Sequence, residues 1–261
     1  MPELPDVQIF AKYLNATALH QKIKKVEVEP EILDSVSSQT LQRRLKGTSL
    51  ESTRRHGKYL FVALDSNGWL GLHFGMTGFL RYYKGDEPAS EHVRLLLRFE
   101  NGYNLAYDLR RKLGKVFLTD NPDQFIQDND LGPDPFQDDI DLTQFRKLLE
   151  KKRGAIKSAL MDQSLMAGIG NVYSDEILFQ ANIHPKTPVQ QLTDEEVKTL
   201  FKTMHRVLQT AIDRKAQPDD MPRSYLLPHR EPGEPCPKCG GTIEKIKVSG
   251  RSSYFCPNHQ K

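Results

Sequence analysis

The 261-residue sequence predicts a multidomain α+β protein, in which an antiparallel β-sandwich with a flanking helix precedes a helical domain and a small C-terminal β-hairpin domain. Short apolar runs between turn residues fill the first 120 residues, and helical periodicity takes over after residue 141. All three cysteines fall within the last 26 residues. At this length a single hydrophobic core usually stops growing, so we expect more than one domain.

The predicted N-terminal domain, residues 1–120, begins with a helix. Pro5 suits the first helical position and Asp6 the first turn, while Val7, Phe10 and Leu14 repeat on one helical face. After Val26 and Val28, the apolar runs are YLFVAL (59–64), WLGLHF (69–74), FLRYY (79–83), VRLLLRF (93–99), YNLAY (103–107) and KVFL (115–118). Gly, Asn and Asp lie between most of these runs, which is typical of antiparallel strands.

A change of composition marks the next segment. Residues 121–140 mix proline, glycine and acidic residues without a period, which predicts a linker. Residues 141–227 then form the predicted helical domain, in which Thr193 and Glu196 are spaced as a capping box before an apolar face. The remaining residues, 228–261, form the predicted C-terminal domain.

Two helical patterns in the helical domain flank the turn Gly168-Ile169-Gly170, which leads into Asn171. Glycines let the backbone approach a ligand closely, and a turn that opens a helix directs free N–H groups towards an anion. The pattern therefore indicates either a phosphate-binding turn or a tight connection between helices.

The charge distribution is uneven. The chain has 37 basic and 34 acidic residues, but residues 121–145 hold seven aspartates and no Lys or Arg, so the remainder is basic. The basic residues form three runs: Arg43, Arg44, Lys46, Arg54, Arg55 and Lys58; Arg110, Arg111, Lys112 and Lys115; and Arg146, Lys147, Lys151, Lys152, Arg153 and Lys157. Such runs can converge on a polyanion, although most charge runs are solvated faces.

The composition also excludes several classes of protein. No stretch approaches the roughly 18 consecutive apolar residues that a membrane span needs, and the start MPELPDVQ lacks the pattern of a signal peptide. Three cysteines cannot form a disulfide framework, which favours a reducing compartment. We therefore expect a cytoplasmic protein without membrane contact.

The cysteines predict a metal site. Cys236 and Cys239 form one closely spaced pair, Cys256 and His259 form a second, and the intervening sequence predicts a β-hairpin that turns at Ser249-Gly250. Three thiolates and one imidazole suit a single tetrahedral Zn²⁺, and four protein ligands leave no open position, so the predicted zinc is structural. The alternative, three free thiols, would make the paired spacing an accident.

These motifs together resemble the formamidopyrimidine-DNA glycosylase and endonuclease VIII family. The resemblance covers nearly the whole chain and rests on PELPDV, RRHGKYLFVAL, HFGMTG, LMDQSLMAGIGNVYSDEILF, CPKCG and GRSSYFCPNHQK, in that order. It implies a helix-two-turns-helix motif in residues 141–227 and a zinc finger in residues 228–261. It also implies a monomeric, nucleoid-associated enzyme that excises oxidised bases from damaged double-stranded DNA and cleaves the abasic site by β,δ-elimination.

The resemblance also implies roles for individual residues. Pro2, exposed by removal of Met1, matches the nucleophile that forms a Schiff base at C1′ of the damaged nucleotide. Glu3 matches the catalytic carboxylic acid, and Lys58 matches a lysine that contacts phosphate and assists elimination.

The implied DNA contacts lie further along the chain. Met76 matches the residue that fills the gap left by a flipped nucleotide, and Arg110 and Arg111 match paired arginines that face the opposite strand. Asn171 and Arg251 match phosphate contacts; taken by itself, Arg251 could equally be a solvated surface residue.

The chain departs from the family pattern at several positions. After the paired arginines it reads Lys112-Leu113-Gly114, without the usual aromatic residue, and His259 replaces the usual fourth cysteine. Two alternatives to the enzyme therefore stand: a descendant that binds lesions without excising bases, and a zinc-ribbon nucleic-acid binder without lesion chemistry. The preferred lesion is left open.

Overall fold

The computed structural model describes residues 1–85 and 90–261, which divide into two compact units. The first, here called the β unit, comprises Met1–Pro2 and Asp6–Asn129. The second, the helical unit, comprises Glu3–Pro5 and Asp130–Lys261. In the described part of the chain, no helix is long and apolar enough to cross a membrane.

The β unit contains two antiparallel sheets with strand orders β1-β6-β7-β5 and β2-β3-β4-β8. One hydrophobic core takes residues from both sheets and from the first helix, among them Val7, Leu14, Leu72 and Leu97. This arrangement confirms the predicted antiparallel sandwich with a flanking helix. The elements are α1 (Leu4–Thr17), β1 (Ile23–Val28), α2 (Ser38–Leu45), β2 (Leu50–His56), β3 (Tyr59–Leu64), β4 (Trp69–His73), β5 (Phe79–Lys84), β6 (Val93–Phe99), β7 (Tyr103–Asp108), β8 (Lys115–Thr119) and α3 (Pro122–Asp128).

Three elements of this unit were not anticipated. α2 and β2 have polar sequences, SQTLQRRL and LESTRRH, so their apolar periodicity is too sparse to be recognised. The prediction of an irregular linker was wrong for Pro122–Asp128, because α3 begins there with Asn121 as its N-cap. Phe125 stacks on Phe117 of β8 with ring centroids 4.3 Å apart, which fixes this helix on the sheet.

The helical unit confirms the predicted helices and hairpin. Its elements are α4 (Leu142–Glu150), α5 (Ile156–Met161), α6 (Asn171–Ala181), α7 (Asp194–Asp213), β9 (Glu244–Val248) and β10 (Arg251–Phe255). Thr193 and Glu196 form the predicted capping box at the start of α7, and β9 and β10 pair on either side of the Ser249-Gly250 turn. α6 lies at the centre of the unit, because all seven residues from Tyr173 to Phe179 are buried.

Candidate nucleic-acid interface and metal centre

Glu3 is fully buried, and its carboxylate is bound by the first turn of α6. Oε2 accepts hydrogen bonds from the backbone N–H groups of Gly170 (2.7 Å) and Tyr173 (3.2 Å), and Oε1 accepts one from Val172 (2.9 Å). The next residue, Leu4, donates its N–H to the carbonyl of Gly168 at 3.0 Å. The start of the chain is therefore anchored on the glycine turn between α5 and α6.

This geometry changes the interpretation of the glycine turn. A phosphate-binding turn, one of the two alternatives, would direct these amides towards an external anion. They donate instead to the carboxylate of Glu3, which supplies the negative charge that a helix N-terminus favours. Gly170 is required for this contact, since a Cβ there would lie 2.4 Å from Cδ of Glu3. The amides of Gly170, Val172 and Tyr173 are therefore already bonded within the protein.

Asn171 is the side chain that the turn presents. It opens α6, and its backbone carbonyl accepts hydrogen bonds from Lys157 Nζ and Arg230 Nη2, each at 3.4 Å. Its side-chain Oδ1 is buried and has no hydrogen-bond partner in residues 1–85 and 90–261. Lys157 and Arg230 thus hold the backbone of Asn171 in place, while its side-chain amide keeps hydrogen-bonding capacity.

A buried acid that sequence reasoning missed lies one turn further along α6. Asp175 is 1% exposed and pairs with Lys157, Arg230 and Ser253. Lys157, predicted to belong to a basic surface run, is fully buried, so that prediction was wrong for this residue. The signal available in the sequence was the adjacent pair of acids Asp175 and Glu176, directly before the apolar run Ile177–Phe179 of the same helix.

The predicted metal ligands come together at one place. Cys236, Cys239, Cys256 and His259 place their ligand atoms within 4.8 Å of one another. Three of the separations are 3.5 Å (Cys236 Sγ to His259 Nδ1), 3.5 Å (Cys239 Sγ to Cys256 Sγ) and 3.9 Å (Cys239 Sγ to His259 Nδ1). The ligands of a tetrahedral Zn²⁺ site lie about 3.7 Å apart, so these residues fit one zinc ion.

The metal centre is attached to the carboxyl end of α6. His259 Nε2 lies 3.4 Å from the carbonyl oxygen of Phe179, and Lys238 donates to the same oxygen at 3.1 Å. A second nitrogen bonded to the protein is the usual way in which a histidine ligand is oriented. The hairpin carries Arg251, which is exposed at the start of β10.

The β unit holds the other predicted catalytic residues. Pro2 is half-buried, and Lys58 lies in the two-residue turn between β2 and β3. Gly57, the first residue of that turn, has φ +55°, and the buried Arg55 donates to its carbonyl at 3.3 Å. Burial, together with the charges of Lys58 and Lys115, lowers the pKa of His73 to about 4. His73 is therefore a neutral neighbour of Lys58 at neutral pH.

Two loops of the β unit lie against each other. Gly75 approaches Gly114 so closely that a Cβ would lie 2.6 Å from the Gly114 nitrogen, and Arg111 donates its N–H to Thr77 Oγ1 at 3.1 Å. These loops bring together the predicted DNA contacts Met76, Arg110 and Arg111, which are all exposed.

The second loop also exposes Leu113, the residue that follows the paired arginines and Lys112 where the family usually has an aromatic. Leu113 is 51% exposed and Met76 39%; with Met1 they are the exposed large hydrophobic residues of the described chain. Lys112, by contrast, is held by Glu29 at 2.7 Å and Glu31 at 3.3 Å. Lys112 is therefore paired with acids, while its neighbour Leu113 is presented to solvent.

Several other members of the predicted basic runs are ion-paired. Arg54 contacts Asp123 at 2.5 Å, and Arg44 contacts Asp120 at 3.5 Å. Lys152 contacts Asp162 at 2.7 Å. The basic runs therefore contribute less net positive charge to the surface than their sequence suggests.

Comparison with known proteins gives matches along the whole chain. Residues 1–116 match the formamidopyrimidine-DNA glycosylase N-terminal domain, residues 131–220 the H2TH domain of the same proteins, and residues 233–258 a zinc finger found in these enzymes and in isoleucyl-tRNA synthetase.

Among the relatives, formamidopyrimidine-DNA glycosylase of Streptococcus pneumoniae is 33% identical over 273 residues, covering 100% of this chain and 99% of that protein. The Acaryochloris marina enzyme is 36% identical over 282 residues, with 100% and 99% coverage. Lactococcus lactis formamidopyrimidine-DNA glycosylase, solved with DNA containing an abasic site, has a TM-score of 0.91 at 32% identity and 99% coverage of both chains. The same Lactococcus lactis enzyme was solved with DNA containing a formamidopyrimidine-deoxyguanosine lesion, again with a TM-score of 0.91.

Proposed function

This chain belongs to the formamidopyrimidine-DNA glycosylase family, and on that premise we propose that it excises oxidised bases from double-stranded DNA and cleaves the strand at the abasic site. The observation that carries the proposal is the anchoring of Glu3, whose buried carboxylate accepts three backbone hydrogen bonds immediately after Pro2. This contact fixes the backbone next to the proposed nucleophile. Preorganisation of this kind is what covalent catalysis by a short terminal segment needs.

In the proposed reaction, Pro2 acts once Met1 has been removed. Its secondary amine attacks C1′ of the damaged nucleotide, the bond from C1′ to the base breaks, and the base leaves with a proton. Opening of the sugar gives an iminium ion, whose positive charge draws electrons from the bond to the 2′ proton. Loss of that proton expels the 3′ phosphate, and a second elimination expels the 5′ phosphate. Hydrolysis of the iminium then regenerates Pro2.

Two further residues take part in this chemistry. Glu3 is proposed to transfer protons at the sugar oxygen, in addition to fixing the backbone beside Pro2. Lys58 is proposed to contact the phosphate that leaves, and the turn bonded by Arg55 holds its backbone in place.

DNA binding is proposed to use separate groups on each unit. In the β unit, Met76 and Leu113 fill the space left by a flipped nucleotide, while Arg110 and Arg111 face the opposite strand. Leu113 takes the place of an aromatic residue, and its exposure supports this role.

In the helical unit, Asn171 and Arg251 bind phosphate, and one structural Zn²⁺ holds the hairpin of Arg251. We propose that the protein acts as a monomer at the nucleoid in the cytoplasm.

Borohydride trapping on abasic duplex DNA tests the function. Protein shown by mass spectrometry to lack Met1 should form a covalent adduct through Pro2, and Pro2→Gly should weaken adduct formation. Pro232→Gly, a change at an exposed proline, is the matched control and should leave trapping intact. Tight binding to abasic DNA without any adduct would overturn the proposed enzymatic activity and identify the protein as a lesion-binding descendant of the family.

A further inference from the structure

The carboxylate of Asp175 is the meeting point of four segments of the helical unit. It lies on α6 and contacts Lys157 of α5 and, at 2.7 Å, Nη2 of Arg230 from the segment before the hairpin. From β10, Ser253 Oγ donates to Oδ1 at 2.7 Å and the backbone N–H of Tyr254 donates to Oδ2 at 3.2 Å. The side chain of Asp175, which accepts all of these contacts, is 0% exposed.

The two cations of this cluster, Lys157 and Arg230, also bind backbone carbonyls near the two proposed phosphate contacts. Lys157 and Arg230 both donate to the backbone carbonyl of Asn171, one helical turn before Asp175. Lys157 also donates to the carbonyl of Ser252 at 3.2 Å, and Ser252 directly follows Arg251. A single carboxylate thus connects the backbone of one proposed phosphate contact with the backbone next to the other.

The negative charge of Asp175 is essential to this arrangement. Two cations approach it, and Lys157 is fully buried. An uncharged amide at this position could still accept bonds from the hairpin, but it would leave Lys157 and Arg230 without a counter-charge at close range. The cations would then move apart, and the carbonyls of Asn171 and Ser252 would lose Lys157, the one donor that they share.

We propose that Asp175 is a positioning residue, which holds Asn171 and the Arg251 hairpin in a fixed register so that both bind one DNA backbone. The inference rests on the proposed function, and it adds that the two phosphate contacts act as one unit. Asp175 itself touches no DNA in this proposal. Its effect is transmitted through the backbone of α6 and of β10.

A double-mutant cycle measures this coupling. The affinity for a duplex with a stable abasic-site analogue is measured for the wild type, Asp175→Asn, Arg251→Ala and the double variant. In the wild type, Arg251→Ala should weaken binding about tenfold, as expected for the loss of a charged hydrogen bond to phosphate. In the Asp175→Asn background the same change should cost less than about threefold, because the hairpin no longer holds Arg251 against the backbone.

A milder pair of variants addresses the hairpin alone. Ser253→Ala removes the hydroxyl that donates to Asp175, whereas the matched change Ser252→Ala keeps the backbone carbonyl that contacts Lys157. Ser253→Ala should weaken binding and reduce the effect of Arg251→Ala, while Ser252→Ala should resemble the wild type. If Asp175→Asn does not fold, the cycle between Ser253→Ala and Arg251→Ala decides the question.

Two further measurements separate positioning from a general loss of structure. Zinc content should remain one ion per chain in each variant. The slope of log affinity against log salt concentration should fall by about one for Asp175→Asn, as for the loss of one phosphate contact.

Equal costs of Arg251→Ala in both backgrounds, with zinc bound, would overturn the role of Asp175. The proposed function fails separately, if the wild type binds abasic duplex no better than intact duplex.

Discussion

The absence of a side chain at Gly170 allows Glu3 to reach the end of α6. Glu3 Oε2 lies 2.7 Å from the Gly170 nitrogen, a distance that a Cβ on Gly170 would not permit. An aspartate at position 3 would be one methylene shorter and could not reach all three amides. At the scale of single residues, the proposed active site therefore depends on one long acid and one glycine, 167 positions apart in the chain.

We predict that Gly170→Ala displaces Glu3 and reduces borohydride trapping about tenfold. The overpacking and the lost hydrogen bonds together should lower the free energy of unfolding by about 2 kcal/mol. Trapping on abasic duplex and thermal unfolding are the measurements.

Gly102→Ala is the matched control, since Gly102 has open space around it and φ +80°. It should cost about 1 kcal/mol of stability through backbone strain and leave trapping unchanged. Full trapping by Gly170→Ala would show that the activity does not depend on the hydrogen bonds between Glu3 and the amides of α6.

At the scale of elements, each end of α6 is contacted by a side chain whose charge is opposite to that end of the helix dipole. Glu3 lies at its amino end, and Lys238 donates to the carbonyls of Phe179 (3.1 Å) and Gln180 (3.4 Å) at its carboxyl end. Both charges complement the helix dipole. The helix thereby connects the start of the chain with the metal centre.

The paired loops of the β unit give the prediction at this scale. Leu113→Ala and Met76→Ala should each lower the excision rate about tenfold, because less apolar surface fills the space that a flipped nucleotide leaves. Binding to intact duplex should change less than about twofold, since phosphate contacts supply most of that affinity. Single-turnover excision and equilibrium binding on the same oligonucleotides are the measurements.

Leu148→Ala provides the control for loss of a partly exposed leucine, because Leu148 lies on α4 of the helical unit and is not one of the proposed DNA contacts. It should leave excision unchanged. Unaltered excision by both Leu113→Ala and Met76→Ala would exclude them from nucleotide flipping.

At the scale of the whole molecule, the two units depend on the metal to different degrees. Among the described residues, the core around the metal centre consists of Phe179, Leu226, Cys236, Ile243 and Cys256, with the partly buried Tyr254 packed against it. Two of the five buried residues are proposed metal ligands. The β unit has its own large core of residues from both sheets and α1. Only the first of these cores is too small to be stable without zinc.

Removal of zinc by a chelator should therefore unfold the C-terminal hairpin, abolish DNA binding and leave the β unit folded. Calorimetry should show that the transition of the C-terminal hairpin is shifted to lower temperature or lost, while that of the β unit is unchanged. Readdition of Zn²⁺ should restore DNA binding. A single unchanged transition with full DNA affinity after chelation would contradict the prediction.

Local patterns in the sequence determined most of the strands, the start of α7 and the set of metal ligands. Short apolar runs between turn residues predicted the strands from β3 to β8, and the Thr193 capping box predicted the start of α7. The spacing of the cysteines and His259 indicated the metal ligands. These features could be predicted because their causes, backbone periodicity and ligand spacing, act over a few residues. The family resemblance located the proposed catalytic residues for the same reason, since its motifs are short and ordered.

Only the tertiary structure decided which charges are buried and what they contact. Lys157 looks like one more surface cation in a basic run, but it is 0% exposed and paired with Asp175, 18 residues away. The amides at the glycine turn bind Glu3, a contact across 167 residues. Leu113 is exposed, whereas the neighbouring Lys112 is held by two acids. Each of these outcomes depends on long-range packing, which sets local dielectric and hydrogen-bond partners and leaves no periodic trace in the sequence.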